Sequence, residues 1–248
     1  MNRVALITGA SRGIGAATAI RLAALGYDIA VTYENAAAAA EDVVNSARAS
    51  GTKAQAYQVN VAEENQILDL FAKIDSDFGR IDALVNNAGI TGPAGRLENL
   101  TAADLTRVIQ INVFGSMICA REAVRRMSTK RGGHGGAIVN VSSAAARLGS
   151  PNEFIHYATS KGAVDTFTLG LARETADEGI RVNAIRPGLI ETEIHASSGL
   201  HDRVERLAPL VPIKRAGSPE EVAETIVWLL SDQSSYVTGA LLDVSGGR

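Results

Sequence analysis

The chain has 248 residues, 46% of them hydrophobic, with 24 basic against 27 acidic side chains and one cysteine, so it can bury a substantial core, and α/β folds of this length are often one domain. A slightly acidic balance without a long basic run makes nucleic acid and anionic membrane poor partners, and the lone Cys119 excludes an intramolecular disulfide. No apolar stretch is long enough to span a bilayer and the N-terminus enters a strand directly rather than through a signal sequence, so the cytoplasm is the expected location.

The apolar run Val4-Ala5-Leu6-Ile7 meets the glycine cluster Thr8-Gly9-Ala10-Ser11-Arg12-Gly13-Ile14-Gly15 and leaves with helical spacing at Ile14, Ala17, Thr18, Leu22 and Leu25. Strand, glycine turn and helix fit the opening unit of a dinucleotide-binding fold. Gly9 can take backbone angles closed to other residues, Gly13 lets the main chain approach a pyrophosphate, and Gly15 lets the helix sit close on the sheet. The first amides of the helix are unpaired and favour an anion. The spacing Gly-x-x-x-Gly-x-Gly is one residue longer in its first gap than the usual Rossmann fingerprint, and no Gly-Lys-Ser/Thr follows as in a P-loop.

Asp28 to Tyr33 reads as a second strand and Asn35 to Ala49 as its helix, with Gly51 as a stop. A carboxylate at the end of that strand would bind a ribose 2′-hydroxyl, whereas a cation would accept a 2′-phosphate. Arg12 in the glycine turn and the absence of a carboxylate at Thr32 and Tyr33 favour NADP, while Glu34, next along, favours NAD. The balance leans to NADP. Ala54 to Val59 is a third strand ending at Asn60-Val61, where Asn60 can read the edge of an adenine, and Glu63 to Phe78 is a helix with the apolar stripe Ile67, Leu70, Phe71 and Ile74. Strand four, Asp82 to Val85, runs into Asn86-Asn87-Ala88-Gly89, small and amide residues suited either to a flat ligand or to a side-chain-bonded turn.

Thr101 and Asp104 form a helix-start signature, and the helix carries Asn112 in its interior, which either faces solvent or holds a hydrogen bond that matters. Gly132-Gly133-His134-Gly135-Gly136 precedes a strand rather than a helix and reads as a flexible surface connector with a solvated His134. Strand five, Ala137 to Val141, ends in Ser142-Ser143. Fourteen residues after Ser143 comes Tyr157, four before Lys161, so the two share a helix face. A nearby cation stabilises phenolate and lowers a tyrosine pKa toward the range of neutral proton exchange, while a serine hydroxyl across from the pair can hold a carbonyl oxygen.

Strand six is Ile180 to Ile185, closed by Arg186-Pro187-Gly188 as a ladder end. From Leu189 to Ala216 the chain is a long mixed segment with a short helical stretch at Arg203 to Leu207. His195 and His201 within it read as solvated, and neither has a cysteine or carboxylate at metal-ligand spacing. Ser218-Pro219-Glu220-Glu221 opens a last helix, and Ala240 to Val244 is the last strand.

Taken together, Thr8 to Gly15, Asn86 to Gly89, Asn112, Ser143, Tyr157-x-x-x-Lys161 and Pro187-Gly188 resemble the short-chain dehydrogenase/reductase family over nearly the whole chain. The resemblance is nearest to 3-oxoacyl-carrier-protein reductases and glucose dehydrogenases. It implies a Rossmann-like, doubly wound, seven-stranded parallel sheet in a single domain and an NAD(P)-dependent carbonyl reductase or alcohol dehydrogenase. By the same resemblance Tyr157 is the acid/base, Ser143 orients the substrate oxygen with Ser142 as a rival, Lys161 grips the ribose and tunes Tyr157, and Asn112 supports a relay water. Cofactor contacts are implied along Gly9, Ser11, Arg12, Gly13, Ile14 and Gly15, at Tyr33, Asn60 and Val61, at Asn87, Ala88 and Gly89, at Tyr157 and Lys161, and at Pro187 and Gly188, with Ile190 and Thr192 meeting the nicotinamide carboxamide. The segment from Leu189 to Ala216 is implied to cover a small-molecule carbonyl or alcohol substrate, and the last strand to lie at a sheet edge of a homotetramer or dimer. Asn60 stands where the family often has aspartate, and the serine-to-tyrosine gap is one residue longer than usual. Asp177-Glu178 before Gly179 count against an acidic carrier protein, since like charges repel. The rival reading is a nucleotide-binding regulator without turnover.

Overall fold

The computed structural model describes residues 2–192 and 202–248. Strand and helix alternate through β1 (Val4–Ile7), α1 (Gly13–Ala24), β2 (Asp28–Tyr33), α2 (Ala37–Arg48), β3 (Ala54–Gln58), α3 (Glu64–Phe78) and β4 (Ala83–Asn86). There follow α4 (Ala102–Ile109), α5 (Ser116–Met127), β5 (Gly136–Val141), α6 (Ala145–Leu148), α7 (Ile155–Thr175), β6 (Ile180–Pro187), α8 (Arg203–Leu207), α9 (Pro219–Leu230) and β7 (Leu241–Val244). The strands form one parallel sheet in the order β3-β2-β1-β4-β5-β6-β7. This is the Rossmann-like single-domain architecture implied by the motifs. His195 and His201 lie outside the described residues.

A parallel sheet buries both faces, and successive side chains of a strand point to opposite ones. In β1, Ala5 and Ile7 join a core with Leu22, Val44 and Ile226 from α1, α2 and α9, while Val4 and Leu6 join Ile67, Phe71 and Ala123 from α3 and α5. The chain builds outward from β1 to β3, then returns to place β4 on the other side of β1. At such a switch point the loops leaving the carboxyl ends diverge and open a crevice.

Capping behaves as the sequence predicts. Thr101 Oγ1 accepts from the Asp104 amide at 3.2 Å while the Asp104 carboxylate accepts from the Thr101 amide at 3.0 Å, and Ser218 and Glu221 repeat the exchange at α9. Between α4 and α5 the helix widens into a π-helical turn over Gln110–Gly115 instead of running straight. Two turn expectations are corrected. The connector at Gly132 to Gly136 is tightly packed, with the Gly133 amide on Ser128 O at 2.9 Å and the Gly135 amide on Met127 O at 2.8 Å. A Cβ on Gly133 would lie 2.2 Å from Arg126 O, so its glycine serves close backbone approach rather than flexibility, though His134 is exposed. The β6 ladder also runs through Arg186 and Pro187, paired with Asp243 and Val244, because proline gives up a donor but keeps a carbonyl, which accepts from Ala144 N at 2.9 Å.

Candidate active site

A cleft of about 540 Å³ opens at the carboxyl ends of the strands and reaches from the glycine turn to Tyr157. Every residue expected to touch cofactor lines it except Gly15, which lies beneath, and Ser142, Ser143, Tyr157 and Lys161 line its far end.

The glycine turn is built for close approach. Gly9 has φ +61°, and a Cβ there would stand 2.8 Å from Ala88 Cα, so only glycine fits between β1 and the loop after β4. A Cβ on Gly15 would stand 2.6 Å from Asn87 Nδ2 and 2.8 Å from Ala10 Cα, which is the helix-to-sheet closeness expected of it. Thr192 lies over Gly13, its methyl 3.3 Å from where a Cβ would be. Thr8 Oγ1 accepts from the amides of Asn87 and Ala88, both at 3.0 Å, and Asn87 Nδ2 donates to Thr8 O at 2.9 Å and Gly9 O at 2.8 Å. The Asn87 amide is therefore occupied in holding the turn. The α1 N-cap, Arg12, is extended and gives no side-chain cap, and no acidic residue stands in the first turn, so the first α1 amides face the cleft. These features fit a dinucleotide pyrophosphate. Asn60 is partly committed too, because its Oδ1 accepts from the Ala62 amide at 3.0 Å.

At the other end, Ser143 and Tyr157 line the cleft together, the Ser143 side chain pulls the Tyr157 pKa down, and Ser143 Oγ accepts from the Ala145 amide at 3.1 Å. Ser142 turns away, donating to Lys161 O at 3.1 Å, which leaves Ser143 as the serine facing the tyrosine. Lys161 Nζ donates to Val141 O at 2.7 Å and sits 5.6 Å from the centre of the Tyr157 ring. Burial lowers the Lys161 pKa to about 8, against an opposing pull from Asp165 one helical turn on. The expected lowering of the Tyr157 pKa is corrected: desolvation raises it, and the Ser143 side chain and the charge of Arg203 offset this only in part. One Lys161 N–H is engaged by Val141 O, while the ammonium stays beside the Tyr157 ring.

Asn112 answers its own question from within the π-helical turn. Fully buried, it accepts from the Ile90 amide and donates to Ile90 O and Ser160 Oγ, each at 2.9 Å. Its Oδ1 lies 3.2 Å, and Lys161 Nζ 3.5 Å, from where a Cβ on Gly89 would be, so these three converge behind the cleft wall. Asn86, by contrast, points into the sheet, donating to Asn140 Oδ1 at 2.9 Å, and Asn140 donates to Thr168 Oγ1 at 2.9 Å. An asparagine inside the Ala-Ile-Val-Asn-Val strand was the signal for this buried polar ladder. The sequence reading missed Phe154, Arg203 and Arg248 as cleft residues, which no spacing marks.

A cleft at the switch point of a parallel sheet, with a glycine turn at one end and a serine, a phenol and a lysine together at the other, defines a dinucleotide-dependent oxidoreductase. A family model described as enoyl-(acyl carrier protein) reductase matches residues 9–248. An uncharacterized oxidoreductase, YgfF, of Escherichia coli is 53% identical over 245 residues, covering 99% of both chains. The 3-oxoacyl-[acyl-carrier-protein] reductase of Staphylococcus epidermidis is 37% identical over 100% of this chain and 99% of its own. Among solved structures, an NAD⁺-bound xylitol dehydrogenase superposes with TM-score 0.91 at 34% identity, covering 99% of this chain and 98% of its own. A blue fluorescent protein from a metagenomic library in complex with NADPH gives TM-score 0.91 at 35% identity, covering 99% and 97%. The chain belongs to the short-chain dehydrogenase/reductase family and is an NAD(P)-dependent oxidoreductase. Among the described residues no helix is long and apolar enough to cross a membrane.

Proposed function

We propose that the protein interconverts a small-molecule carbonyl and its secondary alcohol, with Tyr157 as the acid/base. The observation that carries this is that Ser143, Tyr157 and Lys161 line one cleft together with the glycine turn. A bound nicotinamide dinucleotide would supply or accept the hydride. The first amides of α1 would hold its pyrophosphate, Lys161 its ribose, and Ile190 and Thr192 its carboxamide. Ser143 holds the substrate oxygen, and Tyr157 gives that oxygen its proton in reduction and removes it in oxidation. With its pKa raised, Tyr157 is protonated at neutral pH and ready to donate. Lys161 holds positive charge beside the developing oxyanion, and Asn112 fixes the cleft wall at Ile90.

The same reading assigns NADP as the preferred cofactor. Arg12 lines the cleft near Tyr33, and the opposing Glu34 is solvent-exposed, where its charge is screened. Comparing kcat/KM with NADPH and NADH tests this, and a strong NADH preference overturns it. Lys130 lies 2.6 Å from Asp177 and offsets one of the two acidic charges held to disfavour a carrier protein, so acyl thioesters belong in the substrate screen with ketones and sugars. We also propose residence in the cytoplasm and self-association along the exposed edge strand β7, beside the exposed Tyr236 and Leu242.

Replacing Tyr157 with Phe tests the central role. It removes the proton donor and leaves the cleft, so turnover should fall by about 10²- to 10⁴-fold with nucleotide binding retained. Undiminished turnover would refute the assignment, and a function that survives without turnover would favour a nucleotide-binding regulator.

A further inference from the structure

The charges on the cleft wall are unevenly placed. Glu34, the one acidic lining residue among those described, sits just past β2, whereas the Tyr157 end carries Lys161, Arg203 and Arg248. Arg203, on α8, is held rather than waving in solvent. Its guanidinium lies 5.3 Å over the Phe154 ring, its side chain is 12% exposed, and its Nη2 donates to Glu153 Oε2 at 2.9 Å. Glu153 is shared, because its other oxygen faces Arg206 Nη2 at 3.5 Å. Arg203 thus shares its carboxylate with Arg206, which also faces Asp202 Oδ2 at 4.0 Å.

A buried arginine keeps its proton, so its desolvation has to be met by anions and acceptors. Here that need is only partly met. Arg203 Nε is buried with no hydrogen-bond partner, and Arg248 adds a like charge nearby. The charge of Arg203 reaches the phenol of Tyr157, which places the two within electrostatic range. Around them the wall is apolar at Leu148, Phe154 and Leu189. Excess positive charge, an orphaned donor and an aliphatic wall next to the proposed proton donor ask for one chemical complement: a short carbon skeleton ending in an anion.

We infer that Arg203 anchors a carboxylate of the carbonyl substrate, so that the protein acts on oxo acids and the corresponding hydroxy acids in preference to neutral ketones and sugars. The planar guanidinium matches a carboxylate in two-point contact. This rests on the carbonyl and alcohol reading above, and it makes Arg203 a specificity residue rather than a participant in proton transfer.

The test is a matched series of 2-, 3- and 4-oxo acids of four to six carbons, each with its methyl ester, assayed with NADPH and with NADH on the full chain. The best acid should exceed its ester in kcat/KM by about 10- to 100-fold, the range for hydrogen bonds to a charged group, expressed mainly in KM. In Arg203→Gln that ratio should collapse toward unity, and Arg203→Lys should restore part of it. NADPH titration of each variant by fluorescence separates a failure to fold, which would abolish nucleotide binding, from loss of the anchor. Equal rates for acid and ester in the unmodified protein overturn the anchor, as does a loss in Arg203→Gln that is the same for both, or a phosphate ester preferred over every acid. Ester turnover that still depends on Tyr157 would then leave the carbonyl reading standing, whereas absence of turnover with every carbonyl sinks both.

Discussion

Replacing Asn112 with Ala separates a residue that shapes the site from one that merely lines it. The amide is fully buried and makes three hydrogen bonds of 2.9 Å, two of them to the peptide groups of Ile90 and one to Ser160 Oγ. Ser160 keeps its own donor bond to Tyr157 O at 2.7 Å, so the unmet groups are the Ile90 N–H and C=O. Leaving a buried polar group unpaired costs about 1–3 kcal/mol, and a water entering the small space left by the amide recovers part of the sum. A net loss of about 3 kcal/mol follows, which for a chain of this size is a fall in Tm of about 6–12 °C. The loop after β4 would loosen where Gly89 meets both Asn112 and Lys161, so kcat/KM should fall more than tenfold as well. Thermal unfolding followed by circular dichroism, with steady-state kinetics on the same samples, reads both effects. A Tm shift under about 2 °C with full activity would show that the Asn112 amide does not hold the cleft wall.

Two glycines of opposite purpose make a paired prediction. Gly9→Ala forces a Cβ to 2.8 Å from Ala88 Cα at φ +61° and should cut nucleotide affinity at least tenfold, whereas Gly135→Ala, at φ +77° and 2.5 Å from Gly179 O, should lower Tm and leave nucleotide affinity unchanged. Equal affinity losses in the two would refute the division between ligand-facing and packing glycines. With pH, reductive kcat/KM should decline above about pH 8 as Lys161 loses its charge, while Tyr157, raised above the usual phenol value, stays protonated. The stability sign runs the other way. The folded lysine pKa lies below that of the unfolded chain, so between about 8 and the ordinary lysine value of 10.5 the unfolded state binds more protons and this group's contribution to stability rises with pH. Lys161→Met should lose both the descending limb of the rate profile and that increment, as pH-resolved kinetics and denaturant melts will show.

Most of the architecture was legible because two periodicities carry it. Alternation in Val4 to Ile7 distributes side chains to two cores, and the stripe of Ile67, Leu70, Phe71 and Ile74 buries one side of α3, so both elements follow from local spacing. Where the reading slipped, a partner remote in sequence decided the matter. Gly133 and Gly135 look flexible by composition, yet Arg126 and Gly179 approach them so closely that only glycine fits. Pro187 looks like a ladder end, but Val244 pairs with it from the far end of the chain. The π-helical turn at Gln110–Gly115 has no pattern of its own, and only the interior asparagine hinted at a special hydrogen bond.

The site shows the same boundary between adjacency and environment. Four-residue spacing places Tyr157 and Lys161 on one helix face, as the structure bears out, but spacing says nothing about the medium around them. In that medium burial disfavours both ionised forms, so the phenol is raised, the ammonium is lowered to about 8, and Val141 O takes the lysine proton's hydrogen bond. Of the pair, the group nearest neutrality is therefore Lys161, not Tyr157. A pH profile of this protein should report the lysine first, and Arg203, which no spacing announces, is the added cation that draws the phenol back toward its ordinary value.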